Sequence, residues 1–387
     1  MTSGVKQQQG TTGAATDHSE PGSCPICQET GWESIELPYS LFRHMDFATI
    51  KDGGRIGRCH RCQALFVVVD QHDVARIEDQ FSADAYATSH QTAQTIQVAE
   101  NKEPLTRSRL QADIIAEAFP SAVSRVLDIG CFDGRLLREL GEHFPEADLH
   151  GFDVNPYLED HFRDDPHVHF WAQDLDKVAG RFDLICMSHS MMYIADTAAL
   201  MGRLTQLLTP DGVVFIQAPD ITHNPYSLLF CDTYYHYTPQ ILINVLGHFG
   251  FEFTTWETDL FPREVVGFAG RIRNDDSLPY REDVQIHESL RTLKRTAESL
   301  MEIDNEGTST VLGTTVNAAF VDSILKDRIA YFSDENPAAV GTRFRGKNVV
   351  HPSTVPKSDL MIMPYGEGGP GIAKRFSVSY EGRYQCV

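Results

Sequence analysis

Arg125-Val-Leu-Asp-Ile-Gly-Cys-Phe-Asp-Gly-Arg-Leu-Leu-Arg138 decides how this chain is expected to fold. Val126, Leu127 and Ile129 make a short apolar strand, glycines at 130 and 134 make a turn, and Leu136, Leu137 and Leu140 fall at helical spacing. A strand, a glycine turn and a helix N-terminus form the corner at which parallel α/β sheets bind anions and nucleotides. Gly130 permits a sharp turn of unusual φ, and Gly134 removes a Cβ where a ligand or strand approaches the helix. The spacing Gly130-x-x-x-Gly134 is not the Gly-x-Gly-x-x-Gly of a dinucleotide site. Phe132 stands where the middle glycine often sits, so no pyrophosphate is expected there.

Three carboxylates surround the turn. Asp128 closes the strand and suits a ligand bearing a cation or ammonium group. Asp153, in His150-Gly-Phe-Asp153, closes the next strand, placed in sequence where a carboxylate grips a ribose diol. Asp174 follows the strand Val168-His-Phe-Trp-Ala172 and offers an acid to an adenine amino group. Together these residues resemble the class I S-adenosylmethionine-dependent methyltransferases. That family's pattern is a strand ending Asp-x-Gly-x-x-x-Gly, an acidic residue closing strand two and an Asp after strand three. Phe182–Ser188 then reads as strand four, Leu200–Leu208 as a helix, Pro210-Asp-Gly212 as a turn and Val213–Ala218 as strand five. The resemblance covers about residues 105–275. It implies an α/β, Rossmann-like methyltransferase domain over residues 101–275 with S-adenosylmethionine as cofactor. Asp128, Gly130, Cys131, Gly134, Asp153, Val154, Asp174, Leu175 and Ser188 are the cofactor-binding candidates.

Upstream, Cys24-Pro-Ile-Cys27 and Cys59-His-Arg-Cys62 are two C-x-x-C knuckles, and four thiolates so arranged close a tetrahedral zinc site. The intervening segment is longer than a compact ribbon needs and is expected to carry an inserted loop. Two disulfides or two redox pairs are the competing readings. The N-terminus lacks the charged-then-apolar layout of a signal peptide, which disfavours disulfides. Cys131, Cys186, Cys231 and Cys386 are expected to be buried or incidental.

At 387 residues the chain has room for two or three domains, and its 42% apolar content is that of an ordinary globular protein. A net charge of −21 disfavours nucleic acid or an anionic membrane as the main partner, without excluding a small anionic ligand in a local pocket. No apolar run is long enough for a membrane span. The expectation is a cytoplasmic enzyme, monomeric or homodimeric. Residues 1–20, rich in Gly, Thr, Ser and Gln, read as a disordered tail, 21–100 as a zinc ribbon-like domain, and 280–387 as a small C-terminal α/β domain.

This three-part order resembles the deoxysugar C-methyltransferases of natural-product biosynthesis, a group with an N-terminal zinc domain, a central methyltransferase and a C-terminal α/β domain. Ile129-Gly-Cys-Phe-Asp-Gly134 matches its glycine turn, Tyr86 and Ser89 match a Tyr-x-x-Ser segment, and Ser333-Asp-Glu-Asn-Pro337 matches an Asp-x-Asn-Pro element. Asp232-Thr-Tyr-Tyr-His236 matches the start of a further motif, but the Glu-His that should follow is absent. Read without a gap, His236-Tyr-Thr-Pro239 instead fits the generic entry to a methyltransferase helix. Gly313-Thr-Thr-Val316 replaces a Gly-Ala-x-x-Lys-Gly turn, and Tyr193 stands where related enzymes often carry His.

The resemblance implies methylation of a small molecule, foremost carbon methylation of a nucleotide-linked keto-deoxysugar. Oxygen or nitrogen methylation of another metabolite, and a degenerate domain used only for binding, are the alternatives. Carbon methylation requires a base beside a carbonyl. His236 is the first candidate, since partial burial among tyrosines would keep imidazole neutral and basic; His189, Tyr193 and Tyr86 are the others. Ser108 and Arg109, on the helix Leu105–Phe119, are further candidates to face the cofactor.

Overall fold

A computed structural model describes residues 22–44, 46–68, 79, 81, 83, 95–96, 103–119, 123–272, 279–304 and 307–387. The expected tail, Tyr86 and Ser89 lie outside the described residues.

The quoted stretch forms the strand Arg125–Ile129 and the helix Arg135–His143 around the glycine turn. The strand is an interior, fifth strand of a seven-stranded sheet. Its order is Phe251–Thr255, Glu264–Arg271, Leu208–Pro219, Phe182–Ser188, Arg125–Ile129, Asp148–Asp153, Val168–Ala172. The last five are parallel, while Glu264–Arg271 runs antiparallel to both of its neighbours. From Arg125–Ile129 the chain builds two strands on one side and then returns to Phe182–Ser188 on the other. That reversal opens a crevice at the C-terminal strand ends, where ligands of such sheets bind. The expected turn at Pro210-Asp-Gly212 lies inside the strand Leu208–Pro219, as an irregularity in its pairing between Leu208 and Val213.

The segment between the cysteine knuckles is a long antiparallel hairpin, Trp32–Phe42 with Thr49–Cys59, rather than a loop. Leu65–Val67 pairs on its second arm, and Gly57 leaves room for the Phe66 ring, which a Cβ there would meet at 2.2 Å. The fourth strand comes from far along the chain: Tyr235–His236 pairs antiparallel with Leu65 and Phe66. The N-terminal sheet is thus completed by the central segment.

The described residues among 285–387 fold as six strands flanked by helices. The sheet order is Arg343–Phe344, Lys347–Val350, Ile329–Ser333, Ser309–Leu312, Leu360–Met363, Arg383–Cys386, parallel except at the first pair. The helix Gln285–Met301 joins this unit to the centre, and Thr238 caps the helix Pro239–His248 by accepting from the Ile241 N–H, as its sequence predicts. Tyr39 of the hairpin and Tyr226 of the centre both pack edge-on against Phe320 of the third unit, at 5.3 and 5.6 Å. Arg345 reinforces that joint by pairing with buried Asp322 at 2.8 Å and donating to Thr49 Oγ1 of the hairpin at 3.0 Å. No helix among the described residues is long and apolar enough to cross a membrane.

Candidate active site

Both turn glycines are left-handed, with φ of 80° at Gly130 and 75° at Gly134, so a side chain at either would be strained. A Cβ at Gly130 would lie 2.6 Å from Ser190 Cβ, which shows how closely the end of the strand Phe182–Ser188 is pressed onto the turn. Asp128 is buried beneath it. Burial, with repulsion from Asp153, pushes its carboxyl up to about 8. Asp153, at the next strand end, accepts from the Phe132 and Asn155 N–H groups at 3.1 and 3.0 Å; burial still raises it against those bonds. Asp174 accepts from the Asp176 N–H at 3.0 Å and keeps half of its side chain exposed. Val154 is exposed beside Asp153, Leu175 is half-buried, and Cys131 is buried with its thiol pushed up by desolvation and by Asp128.

These positions line the C-terminal ends of three adjacent strands. A buried carboxyl raised by desolvation and by a neighbouring carboxylate would be ionised by a nearby cation and so fits the sulfonium or ammonium of S-adenosylmethionine, and two-oxygen Asp153 fits a ribose diol. The residues present therefore fit that cofactor.

Beside the turn lies a polar network that the sequence reading missed in large part. Glu264 begins the strand Glu264–Arg271 opposite Pro219. Its carboxylate, only 12% exposed, accepts from Arg107 at 2.8 and 2.7 Å and from the Gln217 amide, and meets His189 Nε2 at 3.0 Å. Burial alone would raise Glu264, but the charges and hydrogen bonds of His189 and Arg107 bring it down to about 2. Gln111 donates to Ser188 Oγ at 2.6 Å and to Gln217 Oε1 at 2.7 Å, extending the network to a cofactor candidate. His189 itself has φ of 54°, uncommon for a residue with a Cβ, and its N–H donates to the Gln217 carbonyl at 2.8 Å. Arg109, expected to face the cofactor, pairs instead with Asp113 and Glu139; two residues earlier, Arg107 is the one that reaches the site. Polar residues at apolar strand ends, Gln217 among them, were the only sequence signal. Nothing local marks Glu264.

His236 sits differently from its expectation. It is 5% exposed, within the N-terminal sheet, and its Nε2 lies among buried polar atoms lacking a hydrogen-bond partner. Full rather than partial burial pushes the imidazole down to about 4, which keeps it neutral but makes it a weak base near pH 7. Tyr193 is half-buried and packs its ring on Phe81 at 4.6 Å and His44 at 6.0 Å.

The four knuckle cysteines converge: their Sγ atoms all lie within 4.8 Å of one another, and all four are buried. The Cys24–Cys62 and Cys27–Cys59 sulfurs are 3.6 Å apart, close to the roughly 3.8 Å edge of a tetrahedral zinc–thiolate site and far from a disulfide bond. The Ile26 and Arg61 N–H groups point at the Cys24 and Cys59 sulfurs at 3.4 Å, a turn that favours thiolate charge. A cleft of about 520 Å³ between hairpin and third unit is lined by Arg345, Lys347 and Asp322, and both cations pair with Asp322.

Residues 105–255 match the model of a family described as a methyltransferase domain. A trans-aconitate 2-methyltransferase from Enterobacter sp. (strain 638) is 26% identical over 212 residues, covering 51% of this chain and 84% of that protein. Its namesake from Deinococcus radiodurans is 29% identical over 98 residues, 25% of this chain and 38% of that protein. This chain spans about half the length of several other such relatives. A solved S-adenosylmethionine-dependent methyltransferase from Mesorhizobium loti is 20% identical, with a TM-score of 0.35, covering 41% of this chain and 96% of that one.

Proposed function

We propose, on the premise that residues 105–255 carry a methyltransferase domain, that this protein methylates a small molecule at the expense of S-adenosylmethionine. The single observation that carries the reading is the glycine turn with buried Asp128 beneath it and Asp153 at the next strand end. When bound, the cofactor supplies a methyl group already activated on sulfur, so the chain's tasks are to orient the acceptor, exclude water and move a proton.

Asp153 takes the ribose, Asp128 the cationic part and Asp174 the adenine amino group. Ser188 and Ser190 flank the turn from the neighbouring strand end. His189, one residue beyond Ser188 and one-third exposed, is the proton acceptor that the geometry favours over buried His236. Cys24, Cys27, Cys59 and Cys62 hold one structural zinc that fixes the hairpin and, through Tyr235–His236, the adjoining edge of the central unit.

For the acceptor we infer a nucleotide-linked keto-deoxysugar methylated at carbon. The reading rests on the order of zinc-type cluster, methyltransferase domain and parallel α/β unit. The trans-aconitate relatives favour a second reading, methylation of a carboxylate oxygen, which is already ionised and needs no base. One experiment separates them. The protein is incubated with S-adenosylmethionine and either keto-sugar nucleotides or tricarboxylates, in D₂O, and both methyl products and deuterium beside the carbonyl are measured. Exchange with a C-methyl product supports the first reading. A methyl ester without exchange supports the second, and failure to bind the cofactor at all would remove both in favour of a binding module.

A further inference from the structure

The network around Glu264 lies outside every motif that the sequence reading used, yet it ends on the residue best placed to move a proton. The carboxylate bonds to three different side chains. Arg107 reaches it from the first turn of the helix Arg107–Ala118, Gln217 from the C-terminal end of a parallel strand, and His189 from the loop after the next strand. An ionised carboxylate only accepts hydrogen bonds, so its 3.0 Å contact with Nε2 calls for the proton on that nitrogen; the donor-only Arg107 Nη1 lies farther from the same nitrogen, at 3.5 Å, and spends its shorter bonds of 2.8 and 2.7 Å on Glu264. That leaves Nδ1 as the unprotonated nitrogen, and among the described residues Nδ1 has no hydrogen-bond partner. His189 takes a left-handed backbone, uncommon for a residue with a Cβ, and its N–H donates to the Gln217 carbonyl. The next residue, Ser190, lies against the glycine turn, where a Cβ added at Gly130 would meet Ser190 Cβ at 2.6 Å.

We propose that Glu264 is a positioning residue: shared with Arg107 and Gln217, its carboxylate locks His189 in the Nε2–H tautomer and orients Nδ1 to take the acceptor's proton. The inference rests on the methyl-transfer reading above and names the device that makes His189 work in it. The step is a proton transfer alone. The acceptor's O–H, N–H or C–H bond breaks, its electron pair stays on the acceptor, and the proton forms an N–H bond at Nδ1 before passing to solvent. Arg107 keeps Glu264 ionised while the imidazolium exists, so the proton is not drawn onward to the carboxylate. A carboxylate, an imidazole fixed by it and a free ring nitrogen at a strand-end crevice are the parts of an orienter–base pair.

The test begins on the full wild-type chain without ligands, with ¹⁵N-labelled histidine. At a pH where the imidazole is neutral, His189 is expected to show the Nε2–H tautomer almost exclusively. A dominant Nδ1–H tautomer, or an even mixture, overturns the proposal whatever the variants do. Glu264→Gln, whose amide offers donors where the carboxylate only accepts, is expected to mix the tautomers. It should lower kcat by roughly 10²–10³-fold while cofactor affinity stays within about twofold. Glu264→Asp, which keeps an acceptor-only group, is expected to regain part of that loss. Equal kcat in Glu264→Gln and wild type, or no better turnover in Asp than in Gln, also overturns it. If Glu264→Gln does not fold, the wild-type tautomer decides. If wild type transfers methyl to no acceptor, the functional reading fails, while the tautomer still decides whether Glu264 orients His189.

Discussion

Raising the pH from 6 to 7 is expected to tighten S-adenosylmethionine binding about ninefold, and the number comes from Asp128. Burial and the neighbouring Asp153 hold its carboxyl at about 8 in the ligand-free protein. At pH 7 it is therefore about nine-tenths protonated. A ligand whose cation needs the ionised form must first remove that proton, at a cost of about 1.4 kcal/mol at pH 7 and about 2.7 kcal/mol at pH 6. The difference is the ninefold, and it fades above pH 8, where the carboxyl is already ionised. The pH 6–7 window also lies below the usual range in which an α-amino group loses its charge. Calorimetric titration at pH 7 in two buffers of different ionisation enthalpy should report release of about 0.9 proton per cofactor bound. Asp128→Asn should bind more weakly, with no proton release and a nearly flat affinity across the window. Undiminished proton release in that variant, or none in wild type, would refute the reasoning, since Asp128 would then be serving as a neutral hydrogen-bond donor. The same shift has a sign for stability. The folded state keeps a proton that the unfolded chain loses above about pH 4, so this group makes the ligand-free protein less stable as pH rises from there to about 8.

Glu264 acts in the opposite direction. Its carboxyl is lowered from 4.5 to about 2, so it contributes about 3 kcal/mol above pH 4.5, lost as pH falls through 2; acid titration of Glu264→Gln followed by circular dichroism should lack that component. Asp153→Ala should weaken cofactor binding by removing charge-assisted bonds worth about 1.5–3 kcal/mol each, and unchanged affinity by calorimetry would mean that its strand end does not meet the ribose. Elemental analysis should find one zinc per chain, and Cys59→Ser should loosen the hairpin together with Tyr235–His236, which hydrogen exchange would show. His236→Ala is expected to cost stability, roughly 2–4 kcal/mol of lost core packing, rather than turnover. A 10²–10⁴-fold fall in kcat with an unchanged melting temperature would instead return the base role to His236.

The sequence by itself determined the local events. A strand, two glycines and a helix between Arg125 and His143 follow from spacing and from the φ that only glycine takes cheaply, and both glycines are left-handed. The two C-x-x-C knuckles were legible because each bend is local, and so was the Thr238 cap followed by proline. The tertiary structure decided what lies beside what. Thirty-one residues between knuckles could be a loop or a hairpin until Trp32–Phe42 and Thr49–Cys59 paired. His236 read as a histidine partly buried among tyrosines and usefully basic; in the strand paired with Leu65 and Phe66 it is fully buried, and burial pushes it down to about 4. Glu264 has no local signature at all. It joins Arg107, 157 residues away, and His189, 75 away, only because an antiparallel strand begins opposite Pro219. Backbone preference and side-chain period act over a few residues and can be read in order along the chain. A carboxylate's charge, and a histidine's usefulness as a base, depend on burial and on partners that only the folded sheet brings within 3 Å.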